Sequence, residues 1–157
     1  MNFKSLSVIA AMLFLAACAQ KTESGANTGG AASGASTATA GSREDFIQNV
    51  GDRVFFDFDR SNIKPEGQQT LQRQAAWLQK YANAKITIEG HCDERGTREY
   101  NLALGERRAT AVKRALVALG IPAGRISTIS YGKERPAVVG SNEAAWAQNR
   151  RGVTVVQ

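Results

Sequence analysis

The chain is short of the residues that build metal sites, disulfide frameworks and active sites. It has two cysteines, Cys18 and Cys92, and one histidine, His91, in 157 residues. A structural zinc site needs four ligands, and no second Cys or His stands near His91 and Cys92 to complete one. If Cys18 is modified, Cys92 has no partner in the chain, and a disulfide framework is excluded. A nucleophile–base–acid triad is assembled from distant positions, and His91 is the one imidazole it could draw on. Aromatic residues make up 7% of the sequence. Phe55, Phe56 and Phe58 crowd into one short stretch that reads as strand core, which leaves no stacking surface of the kind single-stranded nucleic acid uses. No apolar run approaches the roughly 20 residues of a membrane-spanning helix. Gly90 and Gly96 alone do not make a phosphate-loop spacing, and no internal repeat is visible.

What is present begins with a leader. Lys4 is followed by an apolar run from Leu6 to Ala17 and then Cys18. A basic start, a short apolar segment and small residues at its end are the pattern of a secretory signal over residues 1–17. Leu15-Ala16-Ala17-Cys18 resembles a lipobox, in which the Cys becomes the first mature residue and carries the lipids; the plainer alternative is an ordinary signal cleaved near Ala17. From Ala19 to Ser42 the sequence is dominated by Ala, Gly, Ser and Thr, with no aromatic and no large aliphatic residue. Such a stretch buries too little apolar area to offset the entropy of ordering. Residues 18–42 therefore read as a lipidated Cys and a flexible tether with an r.m.s. span of roughly 25–30 Å. The net charge of +6 suits an anionic polymer or membrane surface; a secreted chain rarely meets nucleic acid.

Residues 43–157 are enough for one domain with a real core. Val54, Phe56 and Phe58 alternate with Phe55, Asp57 and Asp59, which predicts a strand over 54–59. Pro65 suits a first helical position, and Leu71, Ala75 and Leu78 predict a helix to about Tyr81. Ala84 to Glu89 alternates again, with Gly90 expected to end that strand. Leu102, Gly105, Ala109, Val112, Leu116 and Leu119 form one stripe on a helix of about 20 residues. Gly105 in that stripe costs about 1 kcal/mol relative to Ala, and its expected use is close approach of helix to sheet. Gly120 and Pro122 end the helix. A strand over 125–131, a short helix over 143–149 and a final strand over 152–156 complete the order β-α-β-α-β-α-β. Such alternation points to an α/β fold with helices packed on a sheet.

Gly90-His91-Cys92-Asp93-Glu94-Arg95-Gly96 is the densest polar cluster, and it sits between a strand and a helix, where sites are common. It admits four readings: a Cys92/His91 nucleophile and base, a metal site, a solvated turn, or a pocket for a ligand bearing both charge signs. Neighbours in a strand point to opposite faces, which weighs against the first. Arg107 and Arg108, and likewise Arg150 and Arg151, are either surface charge or planar forks for carboxylate.

Gly90 to Thr97, Tyr100-Asn101 and Leu104-Gly105-Glu106-Arg107-Arg108-Ala109 resemble the OmpA-like peptidoglycan-binding domain family. Tyr131-Gly132-Lys133-Glu134-Arg135-Pro136-Ala137 and Asn149-Arg150-Arg151 extend the likeness, which covers about residues 54–156. Cys92 departs from the Ala or Thr usual in the family, and Arg98 from a common Pro, which implies a looser helix entry. The resemblance implies a two-layer sandwich, with helices on a mixed sheet of about four strands. It also implies a non-enzymatic protein without cofactor or bound metal. The implied ligand is the diaminopimelate stem peptide of peptidoglycan, read by Asp93 and Arg108, with Asp59, Asn101, Leu104 and Arg150 around the pocket. Diaminopimelate ends in an ammonium and a carboxylate on one carbon, which a carboxylate acceptor and a guanidinium fork would read together. Further implications are an outer-membrane anchor through Cys18, a domain facing the periplasm, TolB as a partner and a role in envelope integrity and division. The competing expectation is an envelope peptidoglycan hydrolase built on Cys92 and His91.

Overall fold

The computed structural model describes residues 38–157. The expected leader, Cys18 and residues 19–37 of the expected tether lie outside the described residues. The last residues assigned to the tether by composition are folded. The Ser42 amide donates to the Thr39 carbonyl at 2.9 Å. The Ser42 hydroxyl accepts from the Asp45 amide at 3.1 Å and so caps α1, Arg43–Asp45. A π-helical turn, Phe46–Val50, follows and buries Phe46 edge-on against Trp77, with 4.9 Å between ring centroids. Asp45 ties this start to the domain by accepting from Trp77 Nε1 at 2.8 Å. That bond, with those from Asn49 and Gly41, holds the Asp45 carboxyl down at about 2.

Four strands, β1 Arg53–Phe55, β2 Ile86–His91, β3 Ile126–Gly132 and β4 Arg151–Val156, form one sheet in the order β1-β4-β2-β3. β4 runs antiparallel to both of its neighbours, and β2 and β3 are parallel. Parallel neighbours require a crossover, which α3, Arg98–Ala118, supplies. α2, Pro65–Lys80, has Pro65 in its first turn, as expected. α4 is Glu143–Asn149, the span read from the sequence. The strand–helix alternation is therefore present, preceded by α1. Val54, Ile86, Ile88 and Val156 from the strands meet Leu71, Leu78, Val112 and Leu116 from α2 and α3 in a single core. This is the two-layer, mixed four-stranded α/β architecture.

Three local expectations are corrected. β1 stops at Phe55 and does not run to Asp59. Residues 57–60 turn instead, with the Arg60 amide on the Asp57 carbonyl at 3.2 Å and Asp59 at φ 56, a left-handed conformation that Asp tolerates better than most residues. The alternating pattern was a strand signal, but the carbonyls of this segment are recruited by buried arginines, as described below. Gly90 does not end β2; it lies inside the strand, paired with Gly152 and Ser130. A Cβ on Gly90 would overlap the Gly105 carbonyl, and one on Gly105 would overlap the Ser130 hydroxyl. The helix thus rests backbone-to-backbone on the sheet, as the stripe's glycine suggested. The α3 entry is not loosened by Arg98: Thr97 Oγ1 accepts from the Tyr100 amide at 3.2 Å and caps the helix.

Candidate functional site

The start of α3, the loop after β2 and the turn after β1 converge at one end of the sheet. Between them lies a cavity of about 160 Å³, lined by Phe58, Asp59, Cys92, Asp93, Arg95, Gly96, Tyr100, Asn101, Leu104 and Arg108. An apolar cavity of roughly this size takes one benzene-sized group, so it suits a head group and not a polymer. Five of the six pocket residues expected from the resemblance line it; Arg150 stands behind Asp93.

Arg108 forms the floor. It lies on the buried side of α3, between Leu104 and Val112, and is 0% exposed. Its Nε donates to the Arg60 carbonyl at 2.9 Å, one terminal nitrogen to the His91 carbonyl at 2.8 Å and the other to the Asp57 carbonyl at 3.0 Å. These bonds explain why the β1 strand breaks where it does: the chain wraps its carbonyls around a buried cation. Burial pushes the Arg108 pKa down, while the Cys92 sulfur and the Asp93 carboxylate oppose the shift. A guanidinium has five N–H donors; these three bonds leave two, and Arg108 also bonds the Cys92 side chain.

Asp93 is the acid of the pocket and is 4% exposed. Arg95 grips it in a fork, Nε to Oδ1 at 3.1 Å and a terminal nitrogen to Oδ2 at 2.7 Å, and the Arg95 amide adds a further bond to Oδ1. Arg150 reaches Asp93 Oδ2 at 3.4 Å while donating to the Phe56 carbonyl and to Glu143. Burial pushes the Asp93 carboxyl up, but the bonds from Arg95 and Arg150 outweigh it and hold the group below the usual range. Asp93 is therefore ionised at neutral pH.

The mouth of the pocket is aromatic. Arg95 lies between the rings of Phe58, at 3.9 Å, and Trp146, at 4.1 Å. Trp146 Nε1 donates to Glu94 at 3.0 Å. Tyr100 donates its hydroxyl to Asp59. Asn101 supports the loop, donating through Nδ2 to the carbonyls of Arg95, 2.8 Å, and Thr97, 3.0 Å. Leu104 supplies apolar wall. Arg95, Tyr100 and Trp146 were not singled out from the sequence as pocket residues. For Arg95 the signal was present, two residues from Asp93 in the polar loop; Trp146, some fifty residues away, carried none.

The Cys92/His91 pair is taken apart by the sheet. Cys92 faces α3, its sulfur donating to the Asn101 carbonyl at 3.3 Å, and burial pushes its thiol pKa up. His91 points to the other face, 3.3 Å from Glu89 Oε2 and 5.5 Å from the Tyr131 ring. The hydrolase expectation thus has no assembled nucleophile and base. Among the described residues no group of three or more His, Cys, Asp or Glu gathers as a metal site.

Residues 55–150 match the OmpA family. The peptidoglycan-associated lipoprotein of Brucella melitensis is 54% identical over 154 residues, covering 96% of this chain and 92% of that protein. The peptidoglycan-associated lipoprotein of Rhizobium meliloti is 56% identical over 144 residues, covering 92% and 82%. The crystal structure of the peptidoglycan-associated lipoprotein from Burkholderia pseudomallei superposes with a TM-score of 0.66 at 47% identity, covering 68% of this chain and 90% of that one. A buried acid and a buried guanidinium on one cavity, in this fold and at this level of identity, establish that the chain belongs to the OmpA family, among the peptidoglycan-associated lipoproteins.

Proposed function

We propose that this protein binds peptidoglycan non-covalently through the diaminopimelate of its stem peptide. The observation that carries the reading is the joint presence of the Asp93 carboxylate and the Arg108 guanidinium on one cavity of about 160 Å³. Asp93 accepts the ligand ammonium, and the Arg108 guanidinium, through the N–H donors that no carbonyl takes, meets its carboxylate. Leu104 and Phe58 pack its methylene chain, and Asp59, Asn101 and Arg150 hold the walls in place. Arg108 has no exposed surface in the free pocket, so a ligand reaches it only as the mouth rearranges. Arg95 gives way, exchanging Asp93 for the ligand while Phe58 and Trp146 keep hold of its guanidinium.

At the level of the cell, Cys18 carries lipids that seat the protein in the outer membrane, with residues 43–157 facing the periplasm and gripping the wall. The domain thereby ties membrane to wall within the Tol-Pal system, with TolB as a protein partner, and supports envelope integrity and division. The family relationship and the leader motif support this wider role.

Pull-down of the full chain on diaminopimelate-type sacculi tests the pocket. Asp93→Asn keeps the shape of the side chain but removes its charge. Losing such a partner costs about 2–5 kcal/mol, roughly a thirty-fold loss of binding or more. Free meso-diaminopimelate should compete with sacculi, and Nα-acetyl-lysine, whose free ammonium has no carboxylate on the same carbon, should not. Parent-like binding by Asp93→Asn would reject the assigned site.

A further inference from the structure

A second cavity adjoins the first. It holds about 740 Å³ and is lined by Ser61, Asn62, Ile63 and Gln68 on one bank and by Glu106, Arg107, Thr110, Ala111 and Arg114 of α3 on the other. The same two segments build both cavities. The turn after β1 gives Phe58 and Asp59 to the pocket and Ser61 to Ile63 to the groove; α3 gives Tyr100 to Arg108 to the first and Glu106 to Arg114 to the second. Tyr100 marks the boundary: its hydroxyl is bonded to Asp59 of the pocket, and Arg107 of the groove lies 5.7 Å from its ring.

The groove is electrostatically unbalanced. Its one acid, Glu106, is already engaged, accepting from Thr110 on α3 at 3.3 Å and from Thr128 on β3 at 3.1 Å. Among the described residues, neither Arg107 nor Arg114 makes an ion pair. Both are exposed. Seven residues apart, they stand two turns or about 10 Å from each other along one side of the helix, the length of about three extended residues. Unlike Arg95, Arg108 and Arg150, whose forks are occupied by carbonyls or acids, Arg107 has only the neutral Tyr100 hydroxyl beside it, and among the described residues neither it nor Arg114 has an acid to neutralise it.

We propose that this groove is a second, carboxylate-taking subsite, in which Arg107 and Arg114 bind the peptide stem beyond its diamino acid. The inference rests on the wall-binding reading of the first pocket. A stem peptide held by its diaminopimelate still carries the free α-carboxylate of its γ-linked glutamate one residue away. Arg107, beside the Tyr100 ring at the edge of the pocket, meets it, and Arg114 extends the track along the peptide. Asn62 and Gln68 offer amides to the peptide backbone from the opposite bank.

Isothermal titration of the full chain with two probes tests this. One is free meso-diaminopimelate, which reaches only the pocket; the other is the tripeptide L-Ala-γ-D-Glu-meso-diaminopimelate, which also enters the groove. The parent should favour the tripeptide, with an advantage that shrinks as salt is raised. In the Arg107→Gln/Arg114→Gln double variant, the tripeptide-to-free affinity ratio should fall about three- to tenfold. Converting the glutamyl carboxylate of the tripeptide to a carboxamide should lower the parent's ratio in the same way. An unchanged ratio in the double variant would overturn the groove and leave the pocket standing. If neither probe binds the parent, the wall-binding reading fails and the groove falls with it.

Discussion

Arg108 shows how one side chain serves both fold and site. Its three carbonyl bonds join β2, α3 and the turn after β1. Removing it takes this donor from the His91 and Arg60 carbonyls, at about 1–3 kcal/mol each where water cannot reach them, while the Asp57 carbonyl keeps the Arg60 amide. Arg108→Ala should therefore lower stability by roughly 3 kcal/mol or more, read as a fall in the urea midpoint, and reduce sacculus binding with it. A variant that kept its midpoint would show the carbonyl ties to be dispensable. His91 carries a different burden on the opposite face. It is 2% exposed, its Nδ1 has no hydrogen-bond partner among the described residues, and burial is the main cause that pushes its pKa down to about 4. Arg151, Arg135 and Arg53 push the same way, against a hydrogen bond with the Arg135 backbone. Between its ordinary value near 6.5 and about 4, the unfolded chain binds the proton and the folded one does not, so stability rises with pH across that window. Acidification from pH 7 to pH 4 should cost about 3 kcal/mol through this group. Urea midpoints at the two pH values should converge in His91→Gln; an equal drop in parent and variant would assign the acid sensitivity elsewhere.

Among the elements, α3 does the most to position the site. Of its expected stripe, Gly105, Ala109, Val112 and Leu116 are buried while Leu102 and Leu119 are half-buried, and the buried face continues through Asn101, Leu104 and Arg108 at its N-terminal end. Periodicity written in apolar residues could not reveal that extension, because two of those three are polar and are buried only where loop and turn fold over them. Backbone contact between Gly105 and Gly90 sets the height of the helix above β2 and hence the depth of the pocket floor. Gly105→Ala should lift α3 from the sheet and destabilise the domain by about 1–3 kcal/mol or more, although Ala is the better helix former by about 1 kcal/mol. Chemical denaturation gives the sign at once: a gain in stability would mean that the helix shifts without cost. β1 is the element the sequence misplaced, since Phe56 and Phe58 continue its alternation while Arg150 and Arg108 take the carbonyls of Phe56 and Asp57 for themselves.

For the whole molecule, the structure describes one folded domain with a pocket, and the leader and tether expected from the sequence lie outside the described residues. Among the described residues no helix is long and apolar enough to cross a membrane, and the proposed anchor at Cys18 has its own test. Cys18→Ser should leave the protein unprocessed or released. Acyl chains contribute about 0.8 kcal/mol per buried CH₂, and fractionation should find the parent with membranes and the variant outside them; membrane retention of the Ser variant would sink the lipid anchor. The sequence by itself determined the α/β class, the spans of α2, α3 and α4, the close approach at Gly105 and the polar loop that holds Asp93. Those features are local: periodicity, capping residues and turn residues act within a few positions of one another. Only the tertiary structure decided that Asp93 and Arg108 share a cavity and that Arg95 occupies the acid between Phe58 and Trp146. It also left Arg107 and Arg114 unpaired on a groove next to the pocket. Each of those facts depends on strand order and on how far one helix stands from the sheet. No spacing along the chain encodes either, because they arise from long-range packing and from the need of buried charges and carbonyls to find partners.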